Sequence, residues 1–163
     1  SFTTFSGSTT SRALLFPMEK VFESYVAQKI KSELSAKSWM ISTQDQKYHL
    51  FENPRKFSLR PDIVIRRPSE DGPTVVLDTK WKRLNNSANY GVSQADMYQM
   101  YVYSKKYKAP VIWVLYPWSK DAPAGKNGSV TLKTDIEDNV TVNLFFIDVA
   151  SIEPSLAELS TKL

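Results

Sequence analysis

Apolar positions along this chain repeat with two different periods, and the alternation between them outlines the fold. Over residues 16–35, Met18, Val21, Phe22, Tyr25, Val26 and Ile30 recur at steps of three and four, which predicts an amphipathic helix with Pro17 in its first turn. Trp39, Ile41, Tyr48, Leu50 and Phe51 predict one or two short strands within 38–52. The segment FSLRPDIVIR at 57–66 reads as a strand, and the turn RPSEDGP, with its Asp71-Gly72 hairpin signal, leads into a return strand over 74–81. NNSANYGVS is a loop. A second helix is predicted over 93–107, capped by Ser93 and stopped ahead of Pro110. VIWVLY at 111–116 is unbroken apolar sequence, as in a strand covered on both faces. SKDAPAGKNGS is a flexible surface loop, NVTVNLFFIDV another strand and PSLAELSTKL a short terminal helix. One helix, a run of strands, a helix, two strands and a last helix make an α/β fold with a mixed central sheet flanked by helices.

The return strand carries an unusual polar pattern. In VVLDTKWK at 75–82, strand alternation puts Val76, Asp78, Lys80 and Lys82 on one face and Val75, Leu77, Thr79 and Trp81 on the other. Asp62 lies in the strand joined to it by the hairpin. Strands so joined run about 4.8 Å apart, so carboxylates on one face of both can converge. Two converging carboxylates suit a hard cation such as Mg²⁺, which takes oxygen ligands and often only one or two carboxylates. A lysine two residues from one of them is placed to orient a water or to offset negative charge on a phosphate. Asp and Lys alternating along a strand equally describe a row of exposed cross-strand ion pairs. Three neighbouring features favour the first reading: Pro61 just before Asp62, a glutamate-bearing amphipathic helix upstream, and a helix with Gln99 and Tyr103 downstream.

Composition narrows the chemistry. With 163 residues the chain is long enough for one domain with a real core. It has no cysteine, so disulfides, thiolate metal sites and cysteine nucleophiles are excluded, in keeping with a reducing compartment. The single histidine, His49, lies in QKYHLFE with no serine motif nearby, and reads as a half-exposed strand residue rather than a triad member. No apolar run is long enough to span a membrane, and SFTTFSGSTTSRALLF has no signal-peptide pattern. AGKNGS has a Gly-Lys but lacks the spacing of a Walker phosphate loop. A net charge of +4 mildly favours a polyanionic partner.

RPD at 60–62, followed by DTK at 78–80, is similar to the PD-(D/E)XK nuclease superfamily. Four blocks in order, FPMEKVFESYV at 16–26, SLRPDIVI at 58–65, VVLDTKWK at 75–82 and DMYQMYVYS at 96–104, resemble the McrC family, the nuclease subunit of modification-dependent restriction systems. The resemblance implies a restriction-endonuclease-like core over 16–163, preceded by an extension or linker over 1–15. It implies that Asp62 and Asp78 bind Mg²⁺, or Mn²⁺ in its place, with the Thr79 carbonyl as a further ligand. Lys80 is then the catalytic lysine. Glu23 is the helix carboxylate that assists through the outer shell, with Glu19 as second choice, and Gln99 and Tyr103 brace the site. Lys82, Arg83 and Arg60, along with Arg55 and Lys56, are candidates for holding phosphates of double-stranded DNA. Relatives of this family dock on a GTP-hydrolysing AAA+ motor, McrB, through an N-terminal region that has no match ahead of Phe16. The chain is therefore expected to be an isolated nuclease domain of a cytoplasmic bacterial or archaeal system. A nuclease of DNA repair or recombination, and a nuclease-like fold kept only for DNA binding, are the competing readings.

Overall fold

A computed structural model describes residues 17–163; the expected extension over 1–15 and the Phe16 start of the first helix lie outside them. The first helix, α1, covers Met18–Glu33, with Pro17 as its N-cap. Eight strands follow in two sheets: β1 Met40–Thr43, β2 His49–Glu52, β3 Arg55–Ser58, β4 Ile63–Arg67, β5 Gly72–Thr79, β6 Val111–Pro117, β7 Ser129–Lys133 and β8 Thr141–Ile147. Helix α2 covers Gln94–Tyr107 and α3 covers Ile152–Ser160. The larger sheet has the order β1-β4-β5-β6-β8-β7, while β2 and β3 form a separate hairpin. It is mixed: β5, β6 and β8 are parallel neighbours, and β1, β4 and β7 join antiparallel. A parallel step needs a crossover, and α2 supplies it between β5 and β6.

Strand alternation divides the core in two. Val75 and Leu77 of β5, Trp113 and Leu115 of β6, and Phe145 and Ile147 of β8 pack under α1 and α3. Their neighbours Val76, Ile112, Val114, Tyr116, Leu144 and Phe146 face α2 on the other side. The unbroken apolar run of β6 follows from this double burial. On α1, Phe22, Val26 and Ile30 stack one turn apart on the buried face. Ser93 caps α2 by accepting a hydrogen bond from the Asp96 amide, and Lys108 ends it in the left-handed conformation ahead of Pro110. Among the described residues no helix is long and apolar enough to cross a membrane.

Two expectations are corrected. The segment 57–66 is not one strand: β3 pairs with β2, the chain breaks over 59–62, and β4 starts only at Ile63. Pro61 has no amide to give a ladder, so Asp62 sits at the break rather than inside a strand. Strand β7 had no counterpart among the predicted elements. It is a polar edge strand of five residues, half of whose side chains face solvent, and it forms only by pairing with β8.

One carboxylate ties the β1–β2 connection to the rest. Asp45 accepts hydrogen bonds from the Ser42 hydroxyl at 3.1 Å, the Lys47 amide at 2.9 Å, Arg66 Nη1 at 3.3 Å and the Tyr107 hydroxyl at 2.7 Å. Burial pushes the Asp45 carboxyl up, but the Lys47 amide, the Tyr107 and Ser42 hydroxyls and Arg66 overrule it and hold it below its ordinary value. A depressed native value means stability that is present above the unfolded-state pKa and lost as pH falls through the native one. Asp45→Asn is expected to cost about 1–3 kcal/mol at pH 7, and this cost should shrink below about pH 4, where wild type loses the same interaction. Urea unfolding at the two pH values measures it; equal stability of the two proteins at pH 7 would refute the assignment.

Candidate active site

Antiparallel pairing sets the start of β4 beside the end of β5, with Ile63 opposite Leu77, so that Asp62 falls beside Asp78. Where the ladder stops, the two segments exchange side-chain bonds. The Asp62 amide donates to Asp78 Oδ1 at 3.3 Å, and the Thr79 amide and hydroxyl both donate to Asp62 Oδ2 at 2.7 Å. The Asp62 carbonyl accepts from the Gln44 amide at 2.9 Å. Both carboxylates are buried.

Lys80 lies just past the end of β5, where its amide still donates to the Leu115 carbonyl of β6. Its ammonium meets Asp78 Oδ2 at 3.0 Å, donates to Gln99 Oε1 at 3.0 Å and lies 3.7 Å from Asp96 Oδ1. Burial works against its charge, but Asp78, Asp96 and Asp62 overrule it and raise the amine above its ordinary value. These three acids favour the charged form of Lys80. Glu23 reaches the same point from α1: its carboxyl meets that of Asp62, with Gln44 alongside, and Lys20 pairs with it at 3.2 Å. Glu19 lines the cleft but makes no such contact, so Glu23 is the helix carboxylate at the centre.

Burial and the neighbouring acids act most strongly on Asp62. Burial, the Glu23 carboxyl and the Asp78 charge push Asp62 up to about 9, although the Thr79 donors oppose this. Burial raises Asp78 as well, against the pull of Lys80. The Asp62 hydrogen bond, working against burial, leaves Glu23 below its ordinary value. One proton shared between Asp62 and the Glu23 carboxylate satisfies both directions. Tyr103 is buried beneath, its hydroxyl turned to the Arg60 main chain; burial, Asp78 and Asp62 keep it a neutral phenol.

A cleft of about 570 Å³ gathers Asp62, Asp78, Thr79, Lys80, Glu23, Gln99, Tyr103, Arg60 and Lys82. Arg83 is exposed but does not line it. Sequence reasoning missed Gln44 and Asp96. Asp96 stands three residues before Gln99 on α2, and that helical spacing was a usable signal. Gln44 had none, being a loop residue in a left-handed conformation. Among the described residues no three His, Cys, Asp or Glu side chains form a ready metal cage. The donor set of Asp62, Asp78 and a backbone carbonyl fits instead an octahedral cation that keeps water and substrate oxygens in its shell. Burial, the Glu23 carboxyl and the Asp78 charge together drive Asp62 up, and a cation between the two aspartates would relieve this.

Fold and cleft together define an α/β domain whose mixed sheet carries an acid–acid–lysine cluster where two of its strands part. The chain belongs to the family described as McrBC 5-methylcytosine restriction system component, whose model matches residues 1–117. It is also similar to a chain in the refined half-complex from a tetradecameric assembly of Thermococcus gammatolerans McrB AAA+ hexamers with bound McrC. That match has a TM-score of 0.67 and 19% identity over 94% of this chain, and likens the fold alone. This chain spans about a third, 35%, of that one. No curated protein matches. The resemblance to the McrC family drawn from the four sequence blocks agrees with both findings.

The strain has a measurable consequence. The native Asp62 value of about 9 lies above that of an unfolded aspartate, about 4. As pH rises between them the unfolded chain releases a proton that the native chain keeps, so Asp62 lowers stability increasingly. Asp62→Asn keeps an oxygen for Thr79 and removes the titration. In EDTA at pH 8 this variant should melt at least about 2–4 °C above wild type, the shift for 1 kcal/mol in a chain this size, with the gap closing toward pH 4. Calorimetric melting at both pH values decides it; a variant less stable at pH 8 would contradict the raised Asp62 value.

Proposed function

We propose that this chain is a Mg²⁺-dependent DNA endonuclease domain of an McrBC-type modification-dependent restriction system, hydrolysing phosphodiester bonds of double-stranded DNA. The single observation that carries the reading is the convergence of Asp62, Asp78 and Lys80, from two strand ends, with Glu23 from α1 and Gln99 from α2, in one open cleft. Asp62, Asp78 and the Thr79 carbonyl would hold the cation, which when bound activates water and offsets charge on the scissile phosphate. The Thr79 amide and hydroxyl fix Asp62. Lys80, kept charged by Asp78 and aimed by Gln99, orients the attacking water and stabilises charge developing on the phosphate. Glu23 takes a hydrogen bond from the Asp62 carboxyl when the site is cation-free and is positioned for the water shell. Lys82 and Arg60 at the rim supply phosphate contacts.

The motor is assigned elsewhere. The solved neighbour is described with McrB AAA+ hexamers, and we assign this chain a GTP-hydrolysing partner of that kind.

Three measurements test the proposal. Isothermal calorimetry should detect Mn²⁺ binding to the wild type and none to Asp78→Asn; equal affinity would remove the site from consideration. In the assembled system with GTP, Lys80→Ala should abolish cleavage of plasmid while DNA binding and the partner's GTP hydrolysis stay within about twofold, since Lys80 acts at the reacting phosphate and not on the phosphates that hold the duplex. Persistent cleavage would make Lys80 structural. The chain alone should bind DNA weakly, with a Kd on the order of 10⁻⁴–10⁻⁶ M at physiological salt, and cut little. Robust GTP-independent cutting would favour a repair nuclease.

A further inference from the structure

The hairpin of β2 and β3 stands apart from both cores. Neither strand has a buried residue: Phe57 is 71% exposed and Phe51 54%, and neither belongs to either apolar cluster. Its root, by contrast, is fixed. Tyr48 and Leu59 pack against the α2-side core, the Leu59 amide donates to the Tyr48 carbonyl at 2.9 Å, and the Tyr48 ring meets Tyr107 edge-on at 4.8 Å.

Phe51 sits opposite Lys56 in the ladder, so alternation alone would send Phe57 to the other face. Phe57 instead adopts a left-handed backbone, φ 59°, and the two rings meet edge-on at 6.1 Å. An aromatic residue at positive φ is strained and persists only where its surroundings hold it. Along residues 47–60 the four cations Lys47, Arg55, Lys56 and Arg60 stand against one carboxylate, Glu52, which accepts from the His49 amide and pairs with Arg55 at 3.5 Å. Both legs of the hairpin start from cleft-lining residues, Gln46 and Arg60. From there to the turn is some six residues, or about 20 Å of extended chain, enough to enter a major groove about 12 Å wide beside a phosphate held in the cleft.

Resting on the nuclease reading, we propose that this hairpin is a second DNA-binding element, with Arg55 and Lys56 on phosphates and the Phe51–Phe57 pair wedged against exposed base faces. Charge decides the occupant. Exposed aromatics alone would suit a protein surface, but a cationic frame with its one acid already paired matches a polyanion. Aromatic rings that stack on bases without reading their edges would add affinity and local unstacking without sequence choice.

The test uses the full chain in EDTA and a fluorescein-labelled duplex carrying 2-aminopurine. Anisotropy is followed from ~50 to ~200 mM salt, where binding reports phosphate contacts. Arg55→Ala/Lys56→Ala should lower the slope of log affinity against log salt by roughly two. Phe51→Ala/Phe57→Ala should keep the wild-type slope, weaken binding roughly 10- to 100-fold and abolish the 2-aminopurine brightening. Thermal melts should match wild type, because these side chains are outside the core; Phe51→Leu/Phe57→Leu, which keeps apolar surface but no ring, should reproduce the loss of brightening. Wild-type affinity, slope and brightening in all variants overturn the hairpin proposal alone, as does loss of partner-protein binding with DNA binding kept. Failure of the wild-type chain, alone and in the assembled system, to bind any duplex overturns the nuclease reading with it.

Discussion

The exchange of bonds between Asp62 and the end of β5 is the constraint on which the site depends. Asp62 gives its amide to Asp78 and takes the amide and hydroxyl of Thr79. Each segment thus supplies the partners that the other would have found in a continued ladder. Buried main-chain groups need such partners, and here they are found in the acids themselves. The same bonds lock the geometry of the carboxylates. Neither acid can be moved without freeing a buried donor, so the chemistry and the local fold are one arrangement.

That arrangement is held against its own electrostatics. Three carboxyls meet in partial burial, and among the described residues Lys80 and Lys20 are the cations paired with them. The apolar sheet makes this tolerable: Ile63, Val64, Val76 and Leu77, next to the acids in sequence, are fully buried and pair across β4 and β5. Stability lost at the cluster is offset by packing one residue away. Natural proteins commonly show this exchange of stability for activity.

Much of the scaffold was legible because its signals are local. The i, i+4 spacing of Phe22, Val26 and Ile30, the Ser93 cap and the unbroken run of β6 each arise from one segment meeting one kind of surface. Strand β7 was not legible, since Ser129–Lys133 is half exposed and owes its extended form to β8. The break between β3 and β4 was not legible for another reason: the strand pattern runs on from Phe57 to Arg66, and only the pairing of β3 with β2 separates Phe57 from Ile63.

The sequence by itself pointed to part of the cleft: RPD and DTK, a carboxylate on the first helix and the Gln99–Tyr103 helix stand out in order along the chain and carry the family resemblance. It also determined the two-sided sheet, because alternation in β5 and continuity in β6 are properties of single strands. Only the tertiary structure decided which helix carboxylate reaches Asp62, that Gln44 and Asp96 join the cleft, and that Lys80 is held by Asp78 and Gln99 together. These are contacts between segments far apart in the chain. Their geometry is set by the register of β4 on β5 and the placement of α1 and α2 on opposite faces, which no local pattern encodes.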